Sequence, residues 1–225
     1  CKLEGTGFDK GGHVKLNSEN QEPSFDLLLK GGRVIDPANG VAGLMDVGIS
    51  GNEIARVAAD IPVGAAAKVV DVSDHIVTPG IIDIHTHVYP FTRTDKAYVG
   101  GMNADAHLPA SGVTTTVDAG TAGWKDFPDF KENTIDRAQV RILAFLNIAV
   151  GGMVDAASEQ EVRAMQPKVV AAMAEAYSDV IVGIKTAHYW TKKPWDAEHP
   201  PWSSVERAVE AGELCGMPVM VDFWP

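Results

Sequence analysis

Residues 77–90 read "VTPGIIDIHTHVYP", and two histidines, His85 and His87, stand one residue apart in the run that follows its Pro-Gly turn. Isoleucine, valine and threonine surround them, so the segment is predicted to be a β-strand. Side chains alternate along a strand. Asp83, His85 and His87 therefore share one face, and Ile82, Ile84, Thr86 and Val88 share the other. Residues two apart on a strand are separated by about 6.6–6.8 Å. Two rings leaning across that gap can each reach one metal ion at about 2.0–2.1 Å. Asp83 is placed to lock or supplement them from the same face. The alternative is a hydrogen-bonded pair of core histidines, but Asp-x-His-x-His at the end of a strand favours the metal.

Outward from this motif the chain changes rhythm. After Pro79-Gly80, apolar strands alternate with segments long enough for helices. The strands are "IIDIHTHV" (81–88), "VTTTVDAG" (113–120), "VRILAFLNIA" (140–149), "VIVGIKTAHY" (180–189) and "PVMVDFW" (218–224). Between the later strands lie "DFKENTIDRA", "SEQEVRAMQPKVVAAMAEAY" and "SSVERAVEAGELCG", with apolar residues at helical spacing. This alternation predicts an α/β fold, a parallel sheet covered by helices. A closed (β/α)8 barrel needs eight strands and about 250 residues. The stretch 80–225 is thus expected to form barrel strands one to five. Residues 25–79 read differently, as short strands joined by turn pairs such as Asn39-Gly40 and Gly51-Asn52, and are expected to form a small all-β unit. Residues 1–24 are polar and Gly-rich without periodicity, which suggests a flexible tether.

Composition narrows the partners. The 225 residues carry 19 Lys and Arg against 30 Asp and Glu, a net charge of -11. Such a chain is repelled by nucleic acid and by anionic membrane surfaces, leaving a small molecule as the expected partner. No apolar run approaches the roughly 20 residues of a membrane span. Cys1 and Cys215 are too few for a disulfide framework, and Cys215 reads as a core thiol in a helix. Cys1 ahead of a polar tether resembles the start of a processed bacterial lipoprotein, which would place the protein at the cell envelope; otherwise the chain was cut from a longer reading frame and a cytoplasmic location stands equally open.

Lys185 adds a second chemical hint. It follows "VIVGI" at the C-terminal end of the fourth barrel strand, where barrel enzymes keep their chemistry. Burial there favours the neutral amine. The alternative is a structural lysine paired with Asp83 or Asp118.

Taken together, "TPGIIDIHTHV", the preceding "FDLLLKGGRVIDPANG…MDVGISGNEIARV" and the following "VGIKTAHY" resemble the amidohydrolase superfamily, and within it the dihydroorotase-like amidohydrolases and deacetylases. The likeness covers residues 25 to 225. It implies that His85 and His87 bind the more buried metal and that carboxylated Lys185 bridges two divalent ions, commonly zinc. It further implies that the β unit is half of a small sandwich and that the reaction is hydrolysis of an amide, cyclic amide or acyl ester. The chain departs from the pattern at the fifth strand, where "PVMVDFWP" sets Asp222 at the place of a histidine ligand; a carboxylate there can ligate zinc or a harder metal. A sixth-strand histidine and an eighth-strand aspartate, the general base of the family, have no counterpart. The expectation is therefore an N-terminal part of a longer enzyme, not competent alone and, with open sheet edges, prone to associate with itself.

Weaker candidates remain. Asp118 ends the second strand and either contacts substrate or caps the next helix. His188 and Tyr189, close to Lys185, are further candidates for substrate contact. His107 reads as a surface helix residue. Trp190, Trp195 and Trp202, interleaved with Pro, suggest an ordered loop or lid over the site. The rival to a hydrolase is a member that has lost its metals and keeps the barrel for assembly or binding.

Overall fold

The computed structural model describes residues 24–93, 98–154, 157–189 and 197–222. It divides into two compact units at Pro79/Gly80. Cys1 and, apart from Ser24, the tether expected over residues 1–24 lie outside the described residues.

The first unit is a five-stranded sheet. β1 (Phe25–Asp36) pairs antiparallel with β2 (Val41–Ser50), and β2 pairs with β3 (Glu53–Ala58). β4 (Ala66–Asp71) and β5 (Ile76–Val77) run parallel to β1. "FDLLLKGG" and "RVID", expected as two strands, form one strand whose register shifts between Leu29 and Gly32. Gly31, at φ 78°, takes the left-handed backbone that this shift requires. Asp46, 1% exposed, ties the sheet to the loop beyond β3 by accepting from Lys30 Nζ, Gly31 N and Ile61 N, each at 2.7 Å.

The second unit begins with β6 (Ile81–Thr86), then the hairpin β7 (Phe91–Arg93) and β8 (Tyr98–Gly100), then α1 (Ala104–His107). β9 (Val113–Gly123), α2 (Phe127–Asn133), β10 (Arg141–Asn147), α3 (Pro167–Ala176), β11 (Ile181–Thr186), α4 (Ser203–Cys215) and β12 (Val219–Val221) complete it. The sheet order is β12-β11-β10-β9-β6 with every neighbouring pair parallel, so the five expected barrel strands are all present and in sequence order. No helix among the described residues is long and apolar enough to cross a membrane.

Helices form where the apolar spacing indicated, with proline setting two of their starts. Residues 158–177, read as one helix, are instead two 3-10 turns (Ser158–Gln160 and Val162–Ala164) followed by α3. Pro167 has no amide hydrogen to continue a helix and fits its first turn, so α3 starts there. α2 likewise carries Pro128 in its first turn and gives way after Asn133 to a 3-10 turn, Ile135–Arg137. α4 ends at Gly216, whose φ of 68° provides the left-handed cap.

The core of this unit lies between the sheet and these helices, with Phe127, Phe130, Leu146, Val170, Ala174, Ile184 and Ala208 fully buried. Phe130 stacks 4.8 Å from the Tyr89 ring and 5.9 Å from Phe127. Phe130→Ala should therefore cost about 3–5 kcal/mol in denaturant unfolding. Leu214→Ala, on a side chain 50% exposed, should stay within about 0.5 kcal/mol.

Candidate active site

The site is built at the C-terminal ends of β6, β9, β10 and β11. β6 loses regular register with β9 between Asp83 and Thr86. The irregularity falls across His85, where a local bend re-aims side chains. The His85 and His87 rings lie 5.7 Å apart, centre to centre, and cross at 76°. They lean together across the strand spacing, as a shared ligand would require. Asp83 steadies the segment through its backbone, its carboxylate accepting from His85 N at 3.1 Å.

Asp118 organises what surrounds His87. It is fully buried, and its carboxylate accepts from Val88 N (2.8 Å), Tyr89 N (3.4 Å), Thr121 N (2.7 Å) and Thr121 Oγ1 (2.8 Å). Burial pushes its carboxyl up, against the pull of these donors. The single hydroxyl proton of Thr121 goes to Asp118, so Thr121 Oγ1 faces His87 Nδ1, 2.8 Å away, as an acceptor. His87 must then carry its proton on Nδ1, which leaves the Nε2 lone pair for a metal. Burial, helped by the charges of His85, Lys185 and His188, holds His87 below the ordinary histidine range and keeps that lone pair available.

Lys185, on β11, is 1% exposed, and its Nζ makes no hydrogen bond among the described residues. Its ion-pair partner is neither Asp83 nor Asp118 but Asp222 just beyond β12, whose Oδ2 is 3.8 Å away, too far for a hydrogen bond. Burial lowers its pKa from the ordinary lysine value, with Asp222 opposing. Room for this side chain comes from Gly120 on β9. A Cβ there would sit 2.5 Å from Lys185 Cγ, and φ is 85°.

An orphaned buried amine beside two converging histidines fits a group that would consume its unmet valence. Among the described residues no three His, Cys, Asp or Glu side chains gather around a single point. A metal held here therefore needs Lys185 as well as the histidines.

Two expectations are corrected. Asp118 caps no helix, because β9 runs through it to Gly123, and its buried oxygens accept from Val88, Tyr89 and Thr121. Tyr189 is 1% exposed and its hydroxyl donates to Pro200 O at 2.9 Å, so it fills the core. His188 stays half-buried, bonded to Glu159 (Nδ1 to Oε2, 3.1 Å), and that bond raises its pKa. His107 is exposed at the end of α1, and Cys215 is partly buried with Sγ 3.1 Å from Ala211 O. Trp202, 52% exposed, precedes α4, whereas Trp190 and Trp195, the other supports of a lid, lie outside the described residues.

Three residues that sequence reasoning passed over also belong to the site. Asn147, ending β10, donates to Gly120 O (3.0 Å) and Glu159 Oε1 (3.4 Å). Glu159 is 3% exposed. Thr121 carries the contact to His87. An asparagine closing the apolar run "RILAFLN" was a readable signal; Glu159 sat in a stretch whose polarity suggested a solvated helix.

Known proteins resemble the chain in part of its sequence and in its fold. No protein-family profile matches the chain. An allantoinase of Escherichia coli is 34% identical over 134 residues, covering 56% of this chain and 29% of its own length. A solved dihydroorotase superposes with TM-score 0.66 at 22% identity, over 87% of this chain and 50% of that one. An N-acyl-D-glutamate deacylase of Bordetella bronchiseptica, solved with zinc and a phosphonate inhibitor, gives TM-score 0.58 at 15% identity over 88% and 45%. The chain thus spans 29% of that allantoinase and about half of the solved dihydroorotase. Over 134 residues the chain is similar in sequence to an allantoinase, and its fold is that of the solved dihydroorotase.

The His87 relay can be tested directly. In metal-free protein, long-range 1H–15N spectra should show His87 as the Nδ1–H tautomer. Thr121→Val should abolish that preference and cost about 1–3 kcal/mol of stability, as buried partners lose their bonds.

Proposed function

We propose that the protein is a metal-dependent hydrolase that cleaves the carbon–nitrogen bond of a small amide or cyclic amide. The observation that carries this reading is the orphaned, buried Lys185 amine beside the converging His85 and His87. Kinship with an allantoinase and the fold of a dihydroorotase support the substrate class, and the zinc-bound deacylase supports the metal.

In this reading His85 and His87 hold a divalent ion, most simply zinc, through neutral imidazole nitrogens. Burial lowers the pKa of Lys185 and so favours the neutral amine, which would add carbon dioxide at Nζ. The nitrogen lone pair forms the new bond and one proton leaves, so the amine becomes a carbamate whose oxygens serve as anionic ligands. Asp222 stands beside it as a further carboxylate ligand. Bound there, the ion supplies Lewis acidity towards a carbonyl and lowers the pKa of a coordinated water. The remaining work falls to the chain's own residues: Asp118 and Thr121 fix His87, and Gly120 gives Lys185 its place.

Elemental analysis of the full-length protein should show at least one divalent ion per chain, falling sharply in the double variant His85→Ala/His87→Ala. Unchanged metal content would defeat the assignment. Lys185→Ala should lose most hydrolysis of a cyclic-amide and N-acyl panel, and added short carboxylic acids should restore part of it. High activity in the untreated Lys185→Ala variant would count against the carbamate.

A further inference from the structure

A cleft on the helix side of the second unit is lined by none of His85, His87, Lys185 and Asp222. It opens between α1 and the corner where α2 passes into the 3-10 turn Ile135–Arg137, and it holds about 160 Å³. Its floor is apolar: Val88, Ala104 and Ile142 all belong to the core between the sheet and the helices. Its rim is polar and carries Asn103, Thr134 and Arg137. A single water takes about 30 Å³ of liquid, whereas pockets for drug-sized ligands run to about 300–1,000 Å³. The cleft therefore suits a molecule of a few heavy atoms.

Hydrogen bonding leaves the rim with donors to spare. Arg137 spends only Nε, on the Glu132 carbonyl at 3.2 Å, and among the described residues its guanidinium has no ion-pair partner. Two neighbouring acids are engaged elsewhere. Asp136 accepts from Lys131 Nζ at 2.6 Å, and Asp129 accepts from the Tyr89 hydroxyl (2.6 Å) and Asn133 Nδ2 (2.8 Å). Asp105, the acid in the lining, accepts from the backbone amides of Gln139 and Val140 at 2.9–3.0 Å. Asn103 caps α1 through its side-chain carbonyl, which accepts from Ala106 N at 3.0 Å and leaves the amide hydrogens unspent. Thr134 Oγ1 makes no hydrogen bond among the described residues. A cation, an amide and a hydroxyl, each with a donor to give, thus share one cleft with an apolar floor.

We propose that this cleft is a second ligand site, and that it takes a small aliphatic monocarboxylate. The carboxylate meets Nη1 and Nη2 of Arg137, whose planar fork matches it bidentately, with Thr134 and Asn103 as further donors. The alkyl tail lies on Val88, Ala104 and Ile142. Inorganic phosphate would satisfy the fork and leave the floor bare, and a neutral amide would cover the floor and leave the cation unmet. The inference stands independently of the hydrolase reading.

The test uses two probes of equal size that differ in charge, butyrate and butyramide. Each is titrated into the full-length protein while NMR follows the Ala104 and Ala138 methyls and the Arg137 Nε–H. Butyrate should move all three along one saturable curve, with Kd on the order of 1 mM, and butyramide should bind about tenfold or more weakly, the range of one charged hydrogen bond. Acetate should also fall about tenfold below butyrate, since it lacks the two methylenes that cover the floor. Arg137→Gln, on an exposed side chain, should bring butyrate down to the affinity of the amide and leave the amide unchanged, which a loss of fold would not do. Ala138→Leu, which fills the cleft, should abolish movement of the Ala104 methyl. Shifts confined to the His85 and His87 rings, shifts that survive Arg137→Gln, or absence of a saturable curve with butyrate overturns the proposal. Equal binding of butyramide, or of inorganic phosphate, overturns it as well.

Discussion

The Asp118 carboxylate is the fixed point of the site. It has no exposed surface, and three backbone amides and a hydroxyl converge on it. A carboxylate in that position is tolerable only because all four donors are present, and each donor in turn is buried and needs it. The result locks the segment after β6, through Val88 and Tyr89, to the bend of β9 at Thr121. His87 lies between those two points. Its tautomer follows from the Thr121 hydroxyl having given its proton to Asp118, so a fully buried carboxylate decides which His87 nitrogen keeps its lone pair.

The same packing logic explains Lys185. A long cationic side chain is expensive to bury, and here it is admitted between β9 and β11 by a glycine at the one position where any side chain would collide with it. Asn147 occupies the β10 end and donates to the Gly120 carbonyl, holding the glycine in its left-handed conformation. Three adjacent strands thus contribute a residue each to one block: a space, a clamp and a buried amine. The C-terminal edge of a parallel sheet suits this, since strand ends are rigid while the loops beyond them vary.

Much of this was legible in the sequence. The five parallel strands followed from short, strongly apolar runs that alternate with segments of helical spacing. His85 and His87 followed from period-two spacing, and Lys185 from its place at a strand end. What escaped were contacts between residues far apart in the chain. Asp118 looked available for substrate because nothing local shows that Val88, Tyr89 and Thr121 will turn their donors on it. Tyr189 looked exposed beside a functional lysine, yet its hydroxyl finds the Pro200 carbonyl and its ring fills the core. Glu159 was hidden for the opposite reason: a polar stretch at helical spacing reads as solvated, and Pro167 cuts it into turns that fold the glutamate inward.

The two histidines that flank the lysine are driven to opposite states by their surroundings. Burial and the cationic neighbours depress His87, while the Glu159 bond raises His188. Two imidazoles with the same intrinsic affinity for protons therefore become a lone-pair donor and a hydrogen-bond donor within one site. Divergence of this kind is how a fold assigns separate acid and base roles to chemically equal groups. It also accounts for the placement of the acidic residues. Asp118 meets His87 through a hydroxyl, which orients the ring without forming a direct ion pair, whereas Glu159 touches His188 directly and raises its pKa. One intervening threonine is the difference between a histidine oriented through a hydroxyl and one bonded directly to a carboxylate.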